Sequence, residues 1–196
     1  MGTLIVIRPG LGVLHPAAGL LVIAAGAFAL RQILQRLETE APGIDVAMHA
    51  VPRAETVSAL ESGAVELAGA AIEKAPPTLR SRPLLTEGFA CVVSAAHSEI
   101  EGPLTLDAYC EASHLLVSPR GDAKGLVDEH LEQLGRSRRV QVTTPQFLAA
   151  PLVVAASGLV LTGPRSLLDF MAGRAPLRVL ELPEELELPT FTIGLL

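Results

Sequence analysis

Aromatic residues are scarce: the chain has no Trp, one Tyr and five Phe among 196 residues. Because 49% of the residues are hydrophobic, the core must be aliphatic, built from Leu, Val, Ile and Ala. Basic residues are few as well. Lys and Arg total 15 against 21 Asp and Glu, a formal net charge of -6. That balance, with no basic stripe, excludes a nucleic-acid-binding surface held by charge. Cysteine is limited to Cys91 and Cys110. So spaced, they form neither a disulfide framework nor a paired zinc knuckle, and read as small buried hydrophobes in a reducing compartment.

Catalytic signatures are also missing. There is no G-x-S-x-G, P-loop, H-E-x-x-H or paired-cysteine motif, and residues 19–26 make no dinucleotide fingerprint. The five histidines, His15, His49, His97, His114 and His130, never stand four apart, so no metal site is expected. The reading is a non-enzyme without a cofactor. Charge is absent between Arg8 and Arg31, where Ala27-Phe28-Ala29 resembles a signal cleavage site. An exported protein is therefore the alternative. Pro9, His15 and Pro16 interrupt that run, and Leu20–Leu30 is too short to span a bilayer. We prefer a buried strand and helix start in a cytoplasmic protein.

What is present centres on Leu115–Leu134. Leu115-Leu116-Val117 reads as a buried strand, and Ser118-Pro119-Arg120-Gly121-Asp122 breaks it. A helix follows with Leu126, Val127, Leu131 and Leu134 on one stripe and Gly135 as its stop. Asp128 and Glu129 read as a solvated face. A strand passing through a polar turn into a helix aims N–H groups and a positive dipole end at one place. Arg120 beside them suits a carboxylate.

In chain order, Met1–Gly19 reads as an irregular leader containing a β-like run, Thr3–Ile7. Leu20–Ala24 reads as a strand, Ala25-Gly26-Ala27 as a small-residue turn, and Phe28–Glu40 as an amphipathic helix. Ile44–Val51, Glu55–Ser62 and Val65–Ala70 continue as strand, helix and strand, so the first part predicts a parallel sheet. Leu84–Ser94 is a long strand pattern with Thr86-Glu87-Gly88 inside it, where a crossing between lobes is expected. Thr105 caps a short helix. Arg138–Thr143, Leu159–Thr162, Leu177–Leu180 and Thr190–Leu195 predict further strands; Phe147–Ser157, with Pro151 inside it, and Arg165–Met171 predict helices. Four turns follow strand candidates, where open α/β sheets bind ligands. Arg53 and Arg120 are the cations there, and Ser118, Gln146 and Thr162 the hydrogen-bonding groups.

The segments "ALRQILQRLETEAPGIDV", "LESGAVELAGA", "LLTEGFACVVSAAHS" and "ELPEELELPTFTIGL", and above all the block from Leu104 to Leu167, resemble the effector-binding domain of LysR-type transcriptional regulators. Within that family the chain is most similar to the nodulation and aromatic-catabolism branch. The resemblance covers about Leu20 to Leu196. It implies a periplasmic-binding-protein type 2 fold, two α/β lobes joined by crossover strands. Lobe I would comprise residues 20–87 and 186–196, and lobe II residues 88–185. It also implies a small aromatic or carboxylate effector between the lobes, and pairing into homodimers or homotetramers. DNA would be bound only through a helix-turn-helix domain that this chain lacks. Carried over by position, the effector-binding residues are Ala25, Gly26, Arg53, Phe89, Ser118, Arg120, Gln146, Phe147 and Thr162, with Glu87 and Gly88 at the hinge. The chain departs from the family pattern at Gln35, Gly69 and Gly158. Ala25 and Gly26 stand where many members carry a hydroxyl, and Gln146 where related aromatic-acid sensors carry His.

Overall fold

The structure is a computed structural model that describes residues 2–8, 35, 38–43, 45–51, 53–71, 76–118 and 121–196. The chain divides into two units, Met1–Thr86 with Phe191–Leu196, and Glu87–Thr190. In the first unit lie β1 (Gly2–Arg8), β2 (Asp45–Val51), α1 (Thr56–Glu61), β3 (Leu67–Ala71), β4 (Arg82–Glu87) and, after the second unit, β10 (Phe191–Leu195). Their sheet has the order β2-β1-β3-β10-β4. β1 pairs antiparallel with β2 from Gly2 opposite Val51 to Arg8 opposite Asp45, and antiparallel with β3 on its other side.

Two expectations are corrected here. Residues 2–8 are a strand inside the sheet rather than part of an irregular leader. The sheet is also antiparallel at β1 and at β10, which runs against β3. The physical reason is the run Leu4-Ile5-Val6-Ile7. It is β-branched and apolar, and its backbone groups find partners on both sides. The expected strand Leu20–Ala24, the turn Ala25–Ala27 and most of the helix Phe28–Glu40 lie outside the described residues. Gln35 and residues 38–40 are helical and exposed, as the polar face of that pattern requires. α1 follows a 3-10 turn, Arg53–Glu55, and ends where Gly63 takes a φ of 69°. The core described here is small: Ala47, Val65 and Ala68, flanked by Ala59, Leu60 and Leu196.

The second unit contains β5 (Phe89–Ser94), α2 (Leu106–Glu111), β6 (Ser113–Val117), α3 (Leu126–Gln133), β7 (Arg139–Thr144), α4 (Ala150–Ala155), β8 (Val160–Pro164), α5 (Arg165–Ala172) and β9 (Leu177–Leu180). The sheet order is β7-β6-β8-β5-β9. β6 is parallel to β7 and β8, whereas β5 is antiparallel to β8 and β9. Local chemistry explains most element ends. Thr105 accepts from the Ala108 N–H and starts α2. Gly135, at φ 66°, stops α3. Pro151 sits in the first turn of α4, where a missing N–H costs nothing.

Successive strand residues face opposite sides of this sheet. Cys91, Val93 and Val160 face α2 and α3, meeting Tyr109, Val127, Leu131 and Leu104. The opposite face carries α4 and α5. There Ser94 Oγ donates to the Ala155 carbonyl, and a Cβ at Gly163 would touch Leu168 at 3.7 Å. The α3 stripe is narrower than expected. Val127 and Leu131 are buried, but Leu126 and Leu134 remain 36% and 43% exposed. The inward position is taken instead by Asp128, which is buried rather than solvated. The segment after β9 also stays with this unit. Leu186 is buried in its core, with Leu182 and Leu188 packed alongside, so the chain leaves at Phe191 rather than at residue 186. Among the described residues no helix is long and apolar enough to cross a membrane.

Candidate functional site

The parallel strands β6 and β7 end side by side. Ser118, only 6% exposed, follows β6 and donates its N–H to the Thr144 carbonyl at 2.8 Å. Its own carbonyl accepts the Gly121 N–H at 3.1 Å. Gly121 takes a φ of 80°, which a residue with a Cβ rarely adopts. Thr144 Oγ1 in turn accepts the Gln146 N–H at 3.3 Å, and the Gln146 carbonyl accepts from Ala150 at 3.2 Å. Ser118 and Gln146 are thus tied to one residue, Thr144. Gln146 is exposed, and Phe147 is half-buried on the way into α4. Phe89, half-buried, opens β5 opposite Pro164, at the same end of the sheet.

Among the described residues of this unit, the remaining predicted effector contact, Thr162, is not gathered there. Arg53 begins the 3-10 turn after β2, in the first unit. Ala25, Gly26 and Arg120 lie outside the described residues. Thr162 lies on β8, two residues before the strand's end, and its hydroxyl points to the α2 side. Thr162 Oγ1 is 2.7 Å from the Tyr109 hydroxyl and 3.3 Å from Cys91 Sγ.

That contact belongs to a buried polar chain that sequence reasoning missed. Arg138 donates from Nε and Nη2 to the two Asp128 oxygens, at 2.8 and 3.0 Å, and from Nη1 to the Tyr109 hydroxyl at 2.8 Å. Asp128 Oδ2 also accepts the Gly125 N–H at 2.7 Å, at the N-terminus of α3. The direction of the chain follows from its donors. Arg138 has no acceptor, so the Tyr109 oxygen accepts from it and gives its own proton to Thr162, which can then donate to Cys91. Burial disfavours the charged form of Asp128, but Arg138 and the Gly125 N–H outweigh it and hold the carboxyl below the usual range. Burial pushes the Cys91 thiol up to about 12, which makes it a poor nucleophile. Burial likewise raises the Tyr109 phenol.

His114 closes the group. Its Nε2 lies 2.7 Å from the Tyr109 carbonyl, so Nε2 carries the proton, and Nδ1 is a buried acceptor without a hydrogen-bond partner. Burial first, and the Arg138 charge second, lower its pKa from 6.5 to about 4. One signal could have exposed this network: an acid three residues after the glycine that precedes a helix, where a carboxylate reaches back to the free N–H. Nothing local in the sequence links Asp128 to Arg138.

Glu87 and Gly88 join β4 to β5. Glu87 is 3% exposed, and its carboxylate accepts from the Gly88 N–H at 3.1 Å, from the Ser166 N–H at 3.3 Å and from the Ser166 hydroxyl. The Gly88 carbonyl accepts the Arg165 N–H at 3.0 Å. Two free N–H groups at the start of α5 are therefore satisfied by the chain that enters β5. Among the described residues no three His, Cys, Asp or Glu side chains gather to hold a metal. An open groove of about 690 Å³ in the first unit, bordered by Leu79, Arg80, Arg82 and Leu196, contains none of the residues singled out from the sequence.

Residues 16–196 match the family described as LysR substrate binding domain. The chain is 31% identical over 157 residues to the HTH-type transcriptional regulator SyrM of Rhizobium etli, covering 80% of this chain and 46% of that protein. It thus spans about half the length of the curated relatives it matches. Among solved structures, a probable transcriptional regulator from Pseudomonas aeruginosa is 27% identical with a TM-score of 0.76, covering 87% of this chain and 58% of the other. The regulatory domain of MexT, a transcriptional activator of the same organism, is 28% identical with a TM-score of 0.70, covering 85% and 81%.

Proposed function

We propose a function on one premise: the chain belongs to the LysR substrate-binding domain family. Its fold is of the type 2 periplasmic-binding kind, and domains of this family are the effector-binding regulatory parts of LysR-type transcription regulators. The effector we infer is a small aromatic or carboxylate molecule. On the second unit, Ser118, Arg120 and Gln146 offer it hydrogen bonds and charge, Phe89 and Phe147 offer apolar contact, and Thr162 supports them from within. The first unit's share is Ala25, Gly26 and Arg53, with Glu87 and Gly88 at the hinge.

The observation that carries this reading is the convergence of Ser118 and Gln146 on Thr144, at the carboxyl ends of neighbouring parallel strands. Effector binding then shifts a conformational balance in the regulator. DNA is contacted through a helix-turn-helix domain of the full-length regulator, which acts in the cytoplasm. The regulator self-associates into homodimers or homotetramers, and Leu148, Leu152 and Val153 near α4 are exposed apolar residues of the second unit that such pairing can cover.

Calorimetric titration with benzoate, and with acetate as a ring-free control, tests the reading. Arg120→Ala is expected to weaken benzoate binding about ten-fold or more, since a charge-assisted hydrogen bond contributes roughly 1.5–3 kcal/mol. Affinity unchanged by that substitution removes Arg120 from the site. Failure of the wild-type protein to bind any aromatic acid sinks the ligand class.

A further inference from the structure

We propose that Arg138 is a positioning residue for residues 121–125, the described stretch of the connection that leads into α3, reaching it from within the core and touching no ligand. The proposal builds on the reading of that connection as effector-contacting.

Two ties hold the ends of this stretch. The residue that opens the connection, Ser118, is held by backbone pairing to Thr144. Its last, Gly125, is held by α3: its carbonyl accepts the Asp128 and Glu129 N–H groups at 2.9 and 3.3 Å, and its N–H donates to Asp128 Oδ2 at 2.7 Å. Gly125 also lies close against β6, where an added Cβ would meet Leu116 at 3.3 Å. Between these ties the chain passes Gly121, whose φ of 80° a residue with a Cβ rarely adopts, and Lys124 pairs with Glu132 on α3.

The N–H half of the second tie is only as firm as the Asp128 carboxylate. That group is buried, and a buried carboxylate without a cation would protonate or swing out to water. Arg138 prevents both by meeting it with two nitrogens, and its side chain is 1% exposed. The third guanidinium nitrogen passes the restraint on. Through Tyr109 it reaches Thr162 on β8, and through Thr162 it reaches Cys91 on β5. The end of the connection is thereby referenced to the middle of the sheet. Arg138 itself precedes β7, at the end of that strand opposite Thr144.

Hydrogen exchange read by mass spectrometry, alongside benzoate calorimetry, tests this on the full chain. In Arg138→Gln, exchange in residues 121–128 is expected to rise about ten-fold more than in β5 and β8, with a matching loss of benzoate affinity. Arg138→Lys keeps the charge on a single nitrogen, without the planar fork, and should recover part of both. Tyr109→Phe removes the hydroxyl that joins Arg138 to Thr162 but keeps the Arg138–Asp128 pair, and should leave residues 121–128 protected. A uniform rise across Glu87–Thr190, or none in residues 121–128, overturns the proposal. If Arg138→Gln does not fold, Arg138→Lys decides alone: selective loosening of 121–128 supports the proposal, and uniform loosening refutes it. Should wild-type protein fail to bind benzoate, the ligand class falls while the exchange data still judge Arg138.

Discussion

The two faces of the second unit's sheet are held in different ways. Toward α4 and α5 the packing is apolar, with Leu168, Val154 and Leu167 buried and Ser94 supplying a hydroxyl. Toward α2 and α3, apolar side chains surround a chain of charged and hydroxyl groups from Asp128 to Cys91. Apolar packing is graded: a lost methylene costs its transfer free energy and the void left behind. A buried polar chain is nearly all-or-none, because each member satisfies the next and a missing one strands its neighbour. The first face sets how stable the unit is. The second also sets which arrangement of helices is allowed.

Removing Arg138 should separate the faces most sharply. Arg138→Met leaves Asp128 buried and unpaired, and should cost about 3–5 kcal/mol in urea unfolding. Adding Asp128→Leu should return much of that loss; a double variant no better than the single one means the pair is not the source. Leu168→Ala on the other face should cost about 3 kcal/mol, without altering the pH dependence of unfolding.

The acid limb tests the polar face alone. His114 titrates near 6.5 when unfolded and near 4 when folded, so between these values the unfolded chain binds the extra proton. Stability should therefore fall as pH drops from about 6.5 to about 4, by on the order of 3 kcal/mol, and level off below as far as His114 is concerned. The depressed Asp128 ionisation is lost only at lower pH. Urea midpoints at several pH values in wild type and His114→Leu should differ in that window; equal slopes assign the acid loss elsewhere. The smallest effect is expected from Tyr109→Phe, about 2 kcal/mol, since it strands Arg138 Nη1 and the Thr162 hydroxyl but leaves the Arg138–Asp128 pair in place.

Much of the second unit is legible in the sequence because its signals are local. Thr105 caps, Gly135 stops, Pro151 opens a helix, and Gly88 interrupts a long strand pattern. The turn Ser118–Gly121 after a strand is legible for the same reason. What escapes is whatever depends on pairing across distance. Asp128 and Arg138 lie in separate elements, and only the packing of α3 beside the start of β7 makes them one ion pair. Thr162 looked like a strand-end hydroxyl, but strand alternation turns it toward Tyr109. The run Leu4–Ile7 announced a strand, yet its place between β2 and β3 depends on partners that its own residues do not name.

The way the chain passes into and out of the second unit has one further consequence. Glu87–Thr190 is a single uninterrupted stretch inserted into the first unit. Its beginning is fastened by Glu87 to the start of α5, and its end by Leu186 within the core. Such an insert is a portable module. Excised at those borders, it should fold as a miniature protein of its own, and its amide spectrum should overlay that of the same residues in the intact chain.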